Sequence, residues 1–213
     1  MPSIAVLHVF VLAGMLFFPV STASEKPDFG PDGLAGLSDV QIWRLSRGEV
    51  ILPKSVSKTP AGQTLIEAAL VFERPPDEVW SLLSKTEDQH KYINEIKKVD
   101  VISKESTRDL VELTVRILGN SIVYRQIHHY DEEALYFDWE LDPSFKSEVK
   151  ELNGFWRLYP FAEEQTLARY GSRVRMRFAV PQFIQTALAK NNLPPALQSI
   201  KKYIDSGGEW RKK

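Results

Sequence analysis

Residues 180–205 constrain this chain more than any other stretch. Apolar side chains recur there at helical spacing: Phe183, Ile184, Ala187 and Leu188, then Leu197, Ile200 and Ile204. Several strand-like segments precede them. A helix arriving after a run of strands must bury its stripe on the sheet, and a one-sided sheet needs that cover. The pairing predicts an α+β chain, a curved antiparallel sheet of about six to seven strands closed over a C-terminal helix. Such an arrangement commonly leaves an apolar cavity between the layers. The stripe also predicts a break. At about 100° per residue, the two halves fall on roughly opposite sides of one continuous rod. Pro194 and Pro195 resolve the conflict, because Leu193 is pushed toward extended dihedrals and Pro195 suits a helix's first turn. A short helix over 182–191 and a second over 195–206 are expected, ended by Gly207 and Gly208, with 210–213 as a frayed basic tail.

The segments before it alternate at period two. In 109–118, Val111, Leu113, Val115 and Ile117 oppose Glu112, Thr114 and Arg116, as on a half-buried strand. In 134–141, Leu135, Phe137, Trp139 and Leu141 share one face, while Tyr136, Asp138 and Glu140 share the other. In 148–159, Leu152, Gly154, Trp156 and Leu158 go together. In 166–180, Val174, Met176, Phe178 and Val180 oppose Arg173, Arg175 and Arg177. Strands are also read over 64–72, 97–103 and 121–130. Hairpin-length links, Gly119-Asn120 among them, imply an antiparallel meander with one wet face. Pro75-Pro76-Asp77 ends the first strand and starts a helix with Val79, Trp80, Leu82 and Leu83 on one side. Thr86 begins a second short helix through about Tyr92.

Ahead of this domain the chain reads differently. Residues 4–20 form an apolar run, and Ser21-Thr22-Ala23 supplies small residues for a peptidase site, so 1–23 reads as a secretory signal cleaved after about Ala23. An uncleaved membrane anchor is the alternative. Residues 24–63 read as a linker followed by a strap over the domain's outside, with an amphipathic helix over 39–47 capped by Ser38 and a brief strand over 49–52. The main domain then spans 64–206, and 207–213 is the tail. The chain has no cysteine, which excludes disulfides, thiolate metal sites and a cysteine nucleophile. With 27 basic against 28 acidic side chains, no broad field favours nucleic acid. No phosphate-binding glycine loop or nucleophile elbow is present.

The order of strand, two small helices, antiparallel strands and final helix resembles the START-like helix-grip superfamily (SRPBCC), in particular its polyketide cyclase/dehydrase and ubiquinone-binding-like branch. The resemblance is carried by Phe72-Glu-Arg-Pro-Pro-Asp-Glu-Val-Trp80, by Asn153-Gly-Phe-Trp-Arg-Leu-Tyr-Pro160 and by Val180-Pro-Gln-Phe183. It covers roughly 64–205 and implies a hollow grip. Members range from lipid carriers to aromatase/cyclases, so the resemblance does not choose a ligand.

The candidate lining follows from the alternation: Val111, Leu113, Phe137, Trp139, Trp156, Leu158, Met176 and Phe178 from the sheet, with Tyr92, Phe183 and Leu197 from the helices. Tyr124, Gln126 and His128 share a face that would orient a ligand. The opposite face, with Val123, Ile127 and His129, is about as apolar, so the inward face stays open. The leading function is a secreted or periplasmic module that binds a hydrophobic small molecule such as a lipid, isoprenoid or quinone, with transient membrane contact. The alternatives are a cyclase/dehydratase-like enzyme using His128 or Tyr124 with Asp138 or Glu140, and a protein-interaction or envelope-structural module whose interior is filled. No cofactor, metal or nucleic-acid partner is expected.

Overall fold

The computed structural model describes residues 26–52, 57–58, 64–117, 119–178 and 191–213. The signal sequence read over 1–23, the short helix over 182–191 up to residue 190, Phe183 and Val180 lie outside the described residues. The elements are α1 (Asp39–Leu45), β1 (Ser57–Lys58), β2 (Thr64–Phe72), α2 (Pro76–Leu83), a 3₁₀ turn (Thr86–Asp88) running into α3 (Gln89–Tyr92), β3 (Ile96–Lys104), β4 (Arg108–Ile117), β5 (Asn120–Asp131), β6 (Tyr136–Leu141), β7 (Val149–Pro160), β8 (Thr166–Met176) and α4 (Leu193–Asp205).

The strands form one antiparallel sheet in the order β1-β2-β8-β7-β6-β5-β4-β3. Sequential hairpins carry the chain from β3 to β8, and the first long strand returns to pair with the last. Its nine residues run from Thr64 opposite Val174 to Phe72 opposite Thr166. β1 adds only two residues at that edge.

α4 lies against the concave face of the sheet with Leu197, Ile200, Tyr203 and Ile204 buried. Its C-terminal end is tied to the β2–α2 junction. Asp205 accepts the backbone N–H of Glu73 at 2.9 Å, the Arg74 guanidinium donates to the Asp205 carbonyl at 3.2 Å, and Lys201 donates to the Val71 carbonyl at 2.6 Å. Lys201 and Asp205 also pair at 2.7 Å, one turn apart. The Pro75-Pro76 step fits this junction, because Pro76 opens α2 where no backbone donor is needed.

The convex face is covered by residues 26–52. Leu45 and Ile51 pack with Ala69, Val71, Tyr159 and Leu167, so β2 and β8 are buried on both sides there. Arg169 is only 8 % exposed. Its guanidinium lies 3.9 Å from the Phe29 ring centre and donates to the carbonyls of Gly33 and Ala35 at 2.8 and 3.2 Å. Gly33 sits at φ +77°, and a Cβ there would stand 2.5 Å from the Tyr159 ring.

Several sequence expectations are corrected. The strand expected from 134 starts at Tyr136, because Leu135 takes a left-handed φ of 47° in the preceding turn. The strand expected through 180 ends at Met176. Residues 49–52 contribute one isolated bridge, Ile51 to Ala69, and no strand. α1 ends at Leu45, and Val40 and Trp43 are 67 and 58 % exposed, leaving Leu45 as its one buried residue among the described ones. The last helix begins at Leu193, not Pro195, since proline is tolerated in a first turn and both prolines fall there. The tail is docked: Trp210 packs against the main core, and Lys212 donates to the carbonyls of Ile93 and Ile96 at 2.7 and 3.0 Å.

Candidate functional site

Between the concave sheet and the helices lies a cavity of about 800 Å³. Period-two alternation decides which strand residues face it, and pairing register decides where along the sheet they meet. His128 stands opposite Trp139, Trp139 opposite Gly154, and Gly154 opposite Ser172. This row crosses four strands. Trp139 can lie over β7 only because residue 154 has no side chain: a Cβ there would fall 2.3 Å from Trp139 Cζ2 and 2.6 Å from the Gly171 carbonyl oxygen. Trp139 and Trp156 both approach Tyr170, with ring centres 6.0 and 4.8 Å away. α4 closes the opposite wall with Leu193, Ala196, Leu197 and Ile200.

Of the residues named from sequence, Leu113, Tyr124, Phe137, Trp139, Trp156, Met176, Phe178 and Leu197 border this cavity. Tyr92, Val111 and Leu158 do not. Tyr92 stacks on Tyr203 with ring centres 4.1 Å apart. Leu158 is sealed in the main core beside Phe72 and Val79, and Val111 sits in the smaller cluster with Ile96 and Val115. Each faces inward, but at a point where another side chain already fills the space. Phe183 lies outside the described residues.

The open question about β5 is resolved by its neighbours. Tyr124 is opposite Leu113, and Gln126 opposite Val111, so Tyr124, Gln126, His128 and Tyr130 share the inward face. Asp138 and Glu140 share the other face with His129, whose Nε2 is 3.6 Å from Glu140. The pairing of His128 or Tyr124 with either acid is therefore corrected: the sheet separates them.

The acid that does stand near His128 is Asp109, its direct cross-strand partner. Sequence reasoning missed it, although it keeps the phase of Val111 and Leu113. The group is buried and connected. Tyr130 donates to Asp109 Oδ2 at 3.2 Å, and Thr86 Oγ1 is 3.1 Å from His128 Nδ1. His128 Nε2 is 3.0 Å from Gln126 Oε1. Because Tyr130 commits its proton to Asp109, Nδ1 accepts from Thr86, and the ring proton on Nε2 goes to Gln126. Burial, with a smaller contribution from His129, pushes His128 down to about 4. It is neutral at pH 7, and both ring nitrogens are occupied. Such a histidine braces a wall and holds Gln126 in orientation. Burial likewise raises the hydroxyls of Tyr124 and Tyr170 above their ordinary range.

Comparison with known proteins agrees with this architecture. A family model described as "Polyketide cyclase / dehydrase and lipid transport" matches residues 63–204. Among solved structures, the Zhui aromatase/cyclase from Streptomyces sp. R1128 superposes with a TM-score of 0.60 at 15 % identity, covering 67 % of this chain and 94 % of that one. A START superfamily protein from Mycobacterium smegmatis gives 0.58 at 17 %, covering 68 and 99 %. A STAR-related lipid transfer protein (fragment 25–204) from Xanthomonas axonopodis gives 0.57 at 11 %, covering 70 and 97 %. At these identities the likeness is one of fold. No curated protein matches the chain in sequence.

Proposed function

We propose, from the premise that this chain belongs to the polyketide cyclase/dehydrase and lipid transport family, that it carries an apolar small molecule such as a lipid, isoprenoid or quinone outside the cytoplasm. The supporting observation is the cavity of about 800 Å³ bounded by Leu113, Phe137, Trp139, Trp156 and Leu197. Small-ligand sites commonly have such volumes and such walls.

Desolvation supplies the affinity. Each buried methylene contributes about 0.8 kcal/mol, against an association cost of roughly 4–15 kcal/mol. About four or five methylenes reach only the lower end of that cost, whereas some fifteen, worth about 12 kcal/mol, cover most of its range. The expected ligand is therefore long or polycyclic.

The enzyme alternative has less support. It needs an ionisable pair facing the ligand, and the named acids Asp138 and Glu140 are on the far face, while the His128 nitrogens are engaged by Thr86 and Gln126. The family's cyclase members keep the alternative in view, and turnover of a polyketide-like substrate would favour it.

Residues 1–23 are proposed to direct export and to be removed near Ala23, which the intact mass of the exported protein tests directly. Ligand carriage is tested by purifying the protein without detergent, extracting it with organic solvent and identifying the extract by mass spectrometry. A stoichiometric apolar compound, absent from an Ala196→Trp variant with a plugged cavity, is expected. An empty extract together with no uptake of added lipid refutes the reading.

A further inference from the structure

We propose that the cavity selects an uncharged lipid whose head presents a carbonyl oxygen to Tyr124 and Gln126, and that it discriminates against the corresponding carboxylate. The inference rests on the ligand-carrying reading above and narrows the ligand class for the same site.

The wall around β5 offers donors without charge. Tyr124 borders the cavity, and its hydroxyl has no hydrogen-bond partner among the described residues. Buried tyrosine hydroxyls normally find a partner. Gln126 uses its Oε1 on His128 Nε2 at 3.0 Å, which turns its amide nitrogen, unpaired among the described residues, toward the open space. His128 is buried, 2 % exposed, and its occupied nitrogens fix that amide. Two neutral donors from alternate positions of one strand thus face the same cavity.

Charge is missing where these donors stand. The residues that pair with them on the neighbouring strands, Leu113 beside Tyr124 and Val111 and Leu141 beside Gln126, are all apolar, and burial raises the Tyr124 hydroxyl. A carboxylate placed here would lose its hydration and gain no counter-ion, which is strongly unfavourable in a low-dielectric site. A ketone, quinone or ester carbonyl gives up far less on entry and recovers two hydrogen bonds. Cations do border the cavity elsewhere. Lys150, Arg175 and Arg177 lie among its lining residues together with the carboxylate of Glu95; Arg175 pairs with Glu151 through one terminal nitrogen and keeps a buried Nε without a partner among the described residues, and Arg177 donates to the Ser147 carbonyl at 2.7 Å. A fatty acid would therefore bind the other way round, with its head toward Lys150 or Arg175.

Matched thirteen-carbon probes decide the matter: 2-tridecanone, tridecane and tridecanoate, each displacing Nile red from the full chain at pH 8. The ketone is expected to bind at least tenfold more tightly than the carboxylate. Tyr124→Phe, which keeps the ring's volume, is expected to weaken the ketone about fivefold, the net worth of one hydrogen bond, and to leave tridecane unchanged. Tridecanoate equal to or tighter than the ketone overturns the proposal and puts the head at Lys150 or Arg175. A Tyr124→Phe variant that affects ketone and alkane equally also overturns it, while leaving ligand carriage standing. Failure of Nile red and all three probes to bind removes both readings together.

Discussion

Gly154 offers the sharpest perturbation of the cavity wall. Alanine at this position places a Cβ 2.3 Å from Trp139 Cζ2 and 2.6 Å from the Gly171 carbonyl oxygen. Ordinary carbon contacts need about 3.5–4.0 Å, so the indole must retreat by more than an ångström. The Gly171 oxygen belongs to the β7–β8 ladder, where Phe155 pairs with Gly171, and it has no freedom to yield. Trp139 has one direction left, into the cavity it borders. Overpacking of this kind costs roughly 1–3 kcal/mol. For a domain of this size about 2 kcal/mol lowers Tm by roughly 4–8 °C. Thermal melts followed by circular dichroism measure the loss, and Nile red titration measures the shrinkage of the site. Both are expected to fall together in Gly154→Ala. Trp139→Leu in the same background should return part of the stability, because the indole contact disappears while the carbonyl contact stays. An alanine variant with unchanged Tm and unchanged binding would refute the claim that the glycine exists to seat the indole.

Three other perturbations probe the frame. His128 is held near 4 against an ordinary value of about 6.5, so the unfolded chain takes up a proton first as pH falls; its neutral form contributes fully above 6.5 and that contribution is lost toward 4. Urea unfolding should show His128→Gln losing about 2–3 kcal/mol less than wild type between pH 7.5 and 4.5, and parallel pH profiles would contradict the burial argument. Asp205→Ala leaves the Glu73 amide without its acceptor and takes one of the partners of Lys201, which keeps the Val71 carbonyl, and should cost about 1–3 kcal/mol in denaturant; a neutral result would mean the α4 tie is ornamental. Arg169→Met removes the Nη1 that donates to both the Gly33 and Ala35 carbonyls, so limited proteolysis should cut within 26–52 faster than in wild type, and equal cleavage rates would count against the strap being held this way.

Much of the frame was legible because it is written in local periodicity. Leu113, Phe137, Trp139 and Trp156 were placed on inward faces by alternation alone, and α4 was placed on the sheet by its stripe. Alternation assigns a face, but not a position along the sheet. Tyr92, Val111 and Leu158 face inward where Tyr203, Ile96 and Phe72 already occupy the space, and only the three-dimensional register reveals that. β5 was ambiguous because Val123 and Ile127 balance Tyr124 and His128. Its inward face is chosen by Leu113 and Trp139 on neighbouring strands. Asp109 was overlooked because a carboxylate opening a strand looks like part of the turn before it. Thr86, 42 residues before His128, is joined to it by nothing that sequence spacing shows. The opening of the last helix went astray for a different reason: the rule against helical dihedrals before proline is weaker than first-turn tolerance when the next residues wind.

The hollow between α4 and the sheet carries the whole account, and heavy-atom crystallography tests it most directly. Crystals soaked in 1-bromododecane should show one anomalous bromine peak inside the space bounded by Trp139, Trp156, Leu197 and Tyr124. Side chains packed solidly through that space, with bromine confined to the outer surface or absent, would contradict it.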